Sequence, residues 1–265
     1  MGIRRGPNIV TDGLELAYDA ANPSSFISGS NDFKVTGADG FDVSFNNLPV
    51  TKDIIGGQRY IRPSWRGNNM CFINGALWNP AYGGVFTFDG TNDYIRTLYE
   101  PPEYAGRAIP NIFSAFTIES WCRPNNSGTD RTLWGAFNSL GGSLLYIDVD
   151  GAGVGFDWVV KTSGGLKRIG TDLSNVTLNK WHHVVATFDT TDIRLYVNNT
   201  LQGTVSTGAS YDNTSAYDGF AIGAEDVDGA RNWSGEIANL NIYNRVLSAT
   251  EVAQNYNALK SRFGL

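Results

Sequence analysis

Residues 181–205 constrain the fold of this chain more than any other stretch. Their sequence, WHHVVATFDTTDIRLYVNNTLQGTV, alternates apolar and other residues through two successive runs. The apolar positions of these runs are Val184, Ala186, Phe188, Ile193, Leu195 and Val197. A period of two indicates strands with one buried face. Asn198 and Asn199 follow where a two-residue hairpin turn requires positive φ, which asparagine tolerates. The stretch therefore predicts three consecutive strands.

Both histidines of the protein, His182 and His183, lie at the start of this stretch. Adjacent residues of a strand point to opposite faces, so the two rings cannot act together on one ligand. The sequence contains neither a Gly-x-Ser-x-Gly nucleophile motif nor a cysteine cluster. A catalytic triad and a zinc site are therefore not indicated. We interpret both histidines as structural strand residues.

The same alternation recurs along the chain in short runs separated by Gly, Asn, Asp and Ser. Short alternating runs bounded by turn residues are typical of sandwiches and barrels. The pattern predicts an all-β fold, either a β-sandwich or a jelly roll, with residues 1–265 forming a single domain. The other predicted strands lie within 8–19, 84–95, 115–123, 131–137, 144–158, 220–224 and 235–243.

One short C-terminal helix is predicted over residues 248–263. Ser248 and Glu251 have the spacing of a capping box, in which the two residues satisfy each other's free backbone donors. An apolar stripe follows, made of Val252, Tyr256 and Leu259. Gly264 is expected to end the helix, because glycine readily adopts the left-handed conformation found there.

Residues 26–84 are the least regular part of the sequence. A structureless loop this long is uncommon in a compact domain, and the segment has more aromatic residues than disordered chains have. We therefore expect short strands and ordered loops. A basic and aromatic cluster here has two interpretations, a partner-docking surface or a loop held to its own domain by Trp65. The cluster consists of Arg59, Tyr60, Arg62, Trp65 and Arg66.

The charge of the chain argues against one class of partner. Its formal net charge is -6 at pH 7, whereas a nucleic-acid-binding surface is normally basic. No apolar run is long enough to cross a membrane, and no apolar segment follows the charged N-terminus as a secretory signal would require. We expect no nucleic-acid or membrane partner. We also expect folding in a reducing cytoplasm, with Cys71 and Cys122 as free thiols; the alternative is that the two cysteines pair.

Four segments resemble, in the same order, the laminin-G-like domains of the concanavalin A-like lectin/glucanase superfamily. They are GVFTFDGTNDYI, AFTIESWCRP, KWHHVVATFDTTDIRLYVNNTLQGT and SGEIANLNIYNRVLSATEVAQNYNA. The similarity runs from about residue 85 to the end, and residues 26–84 depart from the pattern. The resemblance implies an antiparallel jelly roll of two sheets.

Residues 242–264 are similar to the ending of laminin-G-like proteins of tailed bacteriophages. This resemblance implies a non-enzymatic virion structural protein, associated with a capsid, neck or fibre, for particle attachment or surface adhesion. The implied partners are other virion proteins and host-surface glycans, with homo-oligomeric or symmetric attachment. The expected location is the virion, assembled in the host cytoplasm without a signal peptide. The alternatives are a glycan-binding lectin module and, last, a glycoside hydrolase.

The sequence does not show the acid pair of a glycosidase, which needs two carboxylates flanking the scissile bond. Glu119 has no acidic partner two or four residues away. Asp148 and Asp150 are explained by a hairpin tip, where aspartate is common. Glu15 and Asp19 form an isolated pair near the N-terminus. We therefore expect no catalytic residues.

The resemblance also implies calcium, because laminin-G-like domains often bind one ion at an end of the sandwich. Calcium takes carboxylate and carbonyl oxygens. Two predicted loops carry such groups and would supply a site if they lie together; otherwise they are turns with solvated acids. The candidate ligands are Asp89, Asn92, Asp93, Glu225, Asp226 and Asp228.

A glycan site would need aromatic platforms with amides nearby at loop tips. Side chains of these types occur in loop-like sequence before and after the predicted strand at 220–224. They are Tyr211, Asn213, Tyr217, Asn232 and Trp233. An alternative role for Trp233 is to cover the edge of the sandwich.

Overall fold

A computed structural model of the chain describes residues 8–21, 26–27, 33–36, 42–45, 50–51, 70–97, 114–125, 131–137, 144–149, 155–170, 176–211, 221–225 and 229–265, some strand residues by backbone alone. The strands are β1 (Leu14–Asp19), β2 (Phe26–Ile27), β3 (Phe33–Thr36), β4 (Asp42–Phe45), β5 (Val50–Thr51), β6 (Met70–Ile73), β7 (Leu77–Asn79), β8 (Val85–Asp89), β9 (Tyr94–Thr97), β10 (Phe116–Pro124), β11 (Arg131–Phe137), β12 (Leu144–Val149), β13 (Phe156–Thr162), β14 (Gly165–Ile169), β15 (His182–Phe188), β16 (Asp192–Val197), β17 (Thr200–Ser206), β18 (Ala221–Ile222) and β19 (Ser234–Tyr243).

Two large antiparallel sheets form the sandwich. Sheet A has eight strands in the order β17-β16-β15-β10-β19-β8-β7, with β1 also paired to β19. Sheet B has nine strands in the order β14-β13-β12-β11-β18-β9-β6-β5-β2, and β3 and β4 form a separate pair. The main apolar core contains residues from the inner faces of both sheets. The predicted all-β, two-sheet antiparallel sandwich is confirmed.

Residues 181–205 form the predicted consecutive strands, β15, β16 and β17. Asn198 and Asn199 have φ of 49° and 65°, the positive values expected of the two-residue turn. All six alternating apolar residues lie in the main core. β15 also pairs with β10, so the stretch continues sheet A outward from its centre to the edge strand β17.

The outer face of sheet A is covered by the C-terminal helix α1 (Ala249–Leu259) and a 3-10 turn (Lys260–Phe263). The predicted capping box of Ser248 and Glu251 is present, and Gly264 has a left-handed φ of 75°. The Phe263 ring stacks on Trp121 at a centroid distance of 4.5 Å. Within the described residues, no helix is long and apolar enough to cross a membrane.

Residues 26–84 contain short strands, as expected. β2, β5 and β6 extend sheet B, and β7 forms an edge of sheet A. The predicted partner-docking cluster of Arg59, Tyr60, Arg62, Trp65 and Arg66 lies outside the described residues. Of the two cysteines, Cys122 is a buried free thiol whose pKa is raised by burial, and Cys71 is described by its backbone alone.

Candidate functional site

At one end of the sandwich the chain passes between the two sheets more than once. β8 of sheet A leads into β9 of sheet B, and β18 of sheet B leads into β19 of sheet A. The connecting residues therefore lie at the same edge of the core. We call this end the rim, and its described residues are 74–75, 89–93, 125, 131–132, 223–225 and 229–234.

Asp93 is the buried carboxylate of the rim, with an exposed fraction of 4%. Its Oδ1 accepts the backbone N–H of Gly75 at 2.7 Å, and its Oδ2 accepts that of Asp89 at 3.0 Å. Both oxygens therefore bind donors within the protein. This arrangement closes the turn after β8 against the turn after β6.

The exposed tip of this loop is held by local bonds. Asp89 Oδ1 accepts the backbone N–H of Thr91 at 2.7 Å, as is common for aspartate in turns. The side-chain amide of Asn74 donates to the backbone carbonyl of Asn92 at 2.7 Å. The side chains of Asp89 and Asn92 therefore sit on an ordered turn at the surface.

Arg131, the first residue of β11, joins the two loops of the rim. Its Nη1 donates to the carbonyl of Gly90 in the first loop and to that of Asn232 in the second, the latter at 3.0 Å. The Asn232 amide in turn donates to the carbonyl of Asp93 at 3.4 Å. The two acidic loops of the calcium hypothesis therefore do lie together.

A second arginine closes the loop between β18 and β19. Arg231 Nη1 lies 3.1 Å from Glu225 Oε1, and the Glu225 N–H donates to the Ala230 carbonyl at 2.8 Å. The Arg231 side chain is 39% exposed, whereas that of Glu225 is 9% exposed. The Arg231 backbone adopts an uncommon φ of 52°, and its carbonyl accepts the N–H of Thr132 at 2.9 Å.

Several of the described candidate calcium ligands are bonded within the protein. Asp93 is engaged by backbone donors, Glu225 by Arg231, and the carbonyls between the loops by Arg131. Across the described ranges, no group of three or more His, Cys, Asp or Glu side chains is placed to hold a metal ion. The other two candidate ligands, Asp226 and Asp228, lie outside those ranges.

The structure corrects the expected glycan platforms. Tyr211 is 5% exposed and Trp233 is fully buried, and both belong to the main core. Neither ring can stack on a ligand from that position. Asn232 is also buried, with its carbonyl and amide used within the rim. The remaining two candidates, Asn213 and Tyr217, lie outside the described residues.

The rim nevertheless presents polar side chains to solvent. They comprise amides, a carboxylate, a hydroxyl and a guanidinium, from Asn74, Asp89, Thr91, Asn92, Asn125 and Arg231. Sequence reasoning missed Arg131, Arg231 and Asn74, because none of them lies in a recognisable binding motif. The Asn125 amide is held by Ser234 Oγ, which donates to its Oδ1 at 2.6 Å. This set can donate to and accept hydrogen bonds from a hydroxyl-rich ligand.

Glu119 and His183 belong to a buried network of polar side chains. His183 Nε2 lies 3.0 Å from Glu119 Oε1, and the Asn255 amide donates to Glu119 Oε2. The Tyr243 hydroxyl lies 3.0 Å from the Asn255 amide and donates to the Val10 carbonyl at 3.2 Å. Burial, and then the charge of Glu119, raise the pKa of Tyr243. Glu119 is fully buried and cannot reach a substrate in this structure.

His182 faces the opposite side of the strand, as predicted. Its ring lies 5.7 Å from that of Phe156 in the main core, and its Nε2 is 3.0 Å from the Thr177 carbonyl. Burial lowers the pKa of His182, partly offset by the bond to Thr177. The two histidines serve separate structural roles.

Comparison with known families identifies the fold. A family model described as the concanavalin A-like lectin/glucanases superfamily matches residues 89–253. The chain belongs to this superfamily. The match begins at the first rim loop and ends within α1, so both rim loops lie in the part of the chain that the superfamily shares. Comparison with curated proteins finds no match.

Solved structures with a fold similar to that of this chain include toxin binding domains and a domain of an arabinanase. The receptor binding domain of botulinum neurotoxin C/D mosaic serotype is 15% identical, with a TM-score of 0.57, covering 93% of this chain and 51% of that one. The binding domain of Paraclostridial Mosquitocidal Protein 1 is 20% identical, with a TM-score of 0.57 and coverages of 93% and 52%.

Domain 4 of AbnA, an extracellular arabinanase from Geobacillus stearothermophilus, is 15% identical with a TM-score of 0.57. It covers 92% of this chain, which in turn covers 98% of that domain. This chain therefore spans about half of each toxin domain and nearly all of the arabinanase domain. At these levels of sequence identity, the structural similarity is evidence for the fold alone.

Proposed function

We propose that this protein is a non-catalytic, lectin-like module that binds carbohydrate at the rim. The observation that carries this proposal is the set of exposed amide, carboxylate and guanidinium groups on the rim loops. Hydrogen bonds of Asp93 and Arg131 hold these loops in place. Saccharides present many hydroxyl groups, and such side chains match them as donors and acceptors. Because the loops are already ordered, less conformational entropy is lost when a ligand binds.

The compared structures support a binding role. Two of them are binding domains by name, and the arabinanase domain was solved in complex with arabinotriose. A non-enzymatic role also agrees with the position of Glu119, the one acid of β10, which is buried and bonded to His183. Turnover of a polysaccharide that is lost in Glu119→Gln would contradict it.

The proposed test is a glycan array followed by calorimetry with the best ligand. Asn92→Ala and Arg231→Ala each remove exposed hydrogen-bonding groups of the rim. A hydrogen bond to a charged group contributes about 1.5–3 kcal/mol, so Arg231→Ala should weaken binding by roughly tenfold or more. Asn92→Ala should have a smaller effect, since a neutral bond contributes about 1 kcal/mol.

Thr190→Ala is the matched control, because Thr190 is exposed in the turn between β15 and β16 at the other end of the sandwich. It should bind like the unaltered protein. An array with no preference among glycans would contradict carbohydrate recognition. If Asn92→Ala and Arg231→Ala both bind with full affinity, the binding site does not lie at the rim.

We further propose that the module acts on a bacteriophage particle, as a structural part of a capsid, neck or fibre that promotes attachment or adhesion. The support is the similarity of residues 242–264 to phage laminin-G-like proteins. Its partners would be other virion proteins and host-surface glycans, with symmetric attachment as a homo-oligomer. Purified particles should contain the chain in repeated copies by mass spectrometry and electron microscopy. Particles lacking it would exclude this role.

A further inference from the structure

Arg131 lies between the two rim loops and contacts the backbone of both. Its guanidinium donates through one nitrogen to the carbonyls of Gly90 and Asn232, which belong to different loops. Carbonyl oxygens converging beside carboxylates are the donors that a hard cation uses. Here the positive charge is supplied by a side chain attached to β11.

The fit of this guanidinium is close. Gly90 has a φ of 79°, and a Cβ added there would lie 2.7 Å from the Ser234 Cβ and 3.3 Å from the Arg131 Nη1. A side chain at residue 90 would therefore clash with Ser234 of β19 and crowd the guanidinium. The first loop can approach Arg131 because residue 90 is glycine.

The described acids around Arg131 have partners of their own. Asp93 accepts two backbone N–H groups, and Glu225 is paired with Arg231. Asp89 is exposed, and its Oδ1 accepts backbone donors of its own turn. Asp93, Glu225 and the carbonyls of Gly90 and Asn232 are thus engaged by groups of the protein.

We propose that Arg131 is a built-in cation that fixes the rim, so that rim order and the ligand binding described above do not depend on calcium. The statement about ligand binding rests on the proposed function; the statement about rim order does not. A side-chain cation cannot dissociate, so the loops would keep their arrangement at any calcium concentration.

The first experiment measures the melting temperature of the unaltered protein in EDTA and in millimolar CaCl2, without glycan. The two values should agree within about 1 °C, because a ligand bound only by the folded state would raise the value. A clear rise with CaCl2, or calcium binding detected by calorimetry, would overturn the proposal.

The second experiment replaces the cation. Arg131→Met keeps much of the aliphatic length but removes the charge and the donors, and should lower the melting temperature by about 3–8 °C. Arg131→Lys keeps a positive charge, so its melting temperature should lie between those of the unaltered protein and Arg131→Met. It also provides the comparison if the methionine variant does not fold. Arg123→Met is the matched control, since Arg123 is a partly exposed arginine bonded to Glu236. A methionine variant at residue 131 that is as stable as this control would overturn the proposal.

The glycan arm separates this proposal from the proposed function. With a ligand from the array, affinity should be equal in EDTA and in CaCl2 to within about twofold. Affinity lost in EDTA would overturn calcium independence while leaving carbohydrate binding intact. If no glycan binds but the melting experiments give the expected results, carbohydrate recognition fails and the role of Arg131 in rim order stands.

Discussion

Two polar networks in this molecule are built from similar side chains but differ in their cover. One lies beneath α1, where Glu119, His183 and Asn255 are buried. The other lies at the rim, where Asp89 and Arg231 are exposed. The helix and the N-terminal segment exclude water from the first network, whereas no described element covers these two rim side chains. The difference shows that residue type alone does not tell a buried structural network from an exposed polar surface.

The difference in solvent exposure also changes how much each hydrogen bond contributes to stability. In the buried network, a lost partner leaves another polar group without water, which costs its full desolvation energy. At an exposed rim side chain such as Asp89, water replaces a lost partner at little cost. We therefore expect substitutions in the buried network to change stability and exposed rim substitutions to change binding.

The largest effect is expected for Glu119→Ala. The change leaves His183 and the Asn255 amide without their buried acceptor, and should lower the free energy of unfolding by about 3–5 kcal/mol. Urea denaturation followed by tryptophan fluorescence measures this loss. Glu119→Gln, which keeps an acceptor of the same shape, should lose less. A loss below about 1 kcal/mol for the alanine variant would show that the buried network is not a structural unit.

An intermediate effect is expected within the rim itself, where Asp93 is buried and Asp89 is exposed. Asp93→Ala leaves the N–H groups of Gly75 and Asp89 unpaired, and should cost about 1–3 kcal/mol. Asp89→Ala should cost less than about 1 kcal/mol, because water reaches its turn. Denaturation of the two variants side by side tests whether burial, and not position in the rim, decides the cost.

The smallest effect concerns the attachment of the helix that covers the buried network. The side-chain bond from Arg245 is the main cause that lowers the pKa of Glu251 from 4.5 to about 2. A carboxyl group with a lowered pKa stabilises the folded state above pH 4.5, and this contribution is lost as pH falls toward 2.

Melting temperatures between pH 5 and pH 2 test this contribution. Glu251→Gln keeps a capping side chain but cannot titrate, so its melting temperature should fall less steeply over this range than that of the unaltered protein. Both proteins contain the same other acids, which makes the difference in slope the informative quantity. Identical slopes would show that the pair does not hold the helix.

Local patterns were sufficient for the elements that depend on neighbours in sequence. The alternation in residues 181–205 predicted β15 to β17, and Asn198 and Asn199 predicted the turn between two of them. The capping box of Ser248 and Glu251 predicted the start of α1. Each depends on backbone geometry and side-chain period over a few residues, which the sequence displays directly.

Burial and long-range pairing required the folded chain. Trp233 occurs in loop-like sequence, but the crossing from sheet B to sheet A turns it into the core. In the sequence, Glu119 is an isolated acid. In the structure, β10 pairs with β15, which places His183 opposite Trp121 and within hydrogen-bonding distance of Glu119. Arg131 joins carbonyls far from it in sequence. These contacts form between distant segments, so no local period or spacing encodes them, and only the packing of two sheets brings them together.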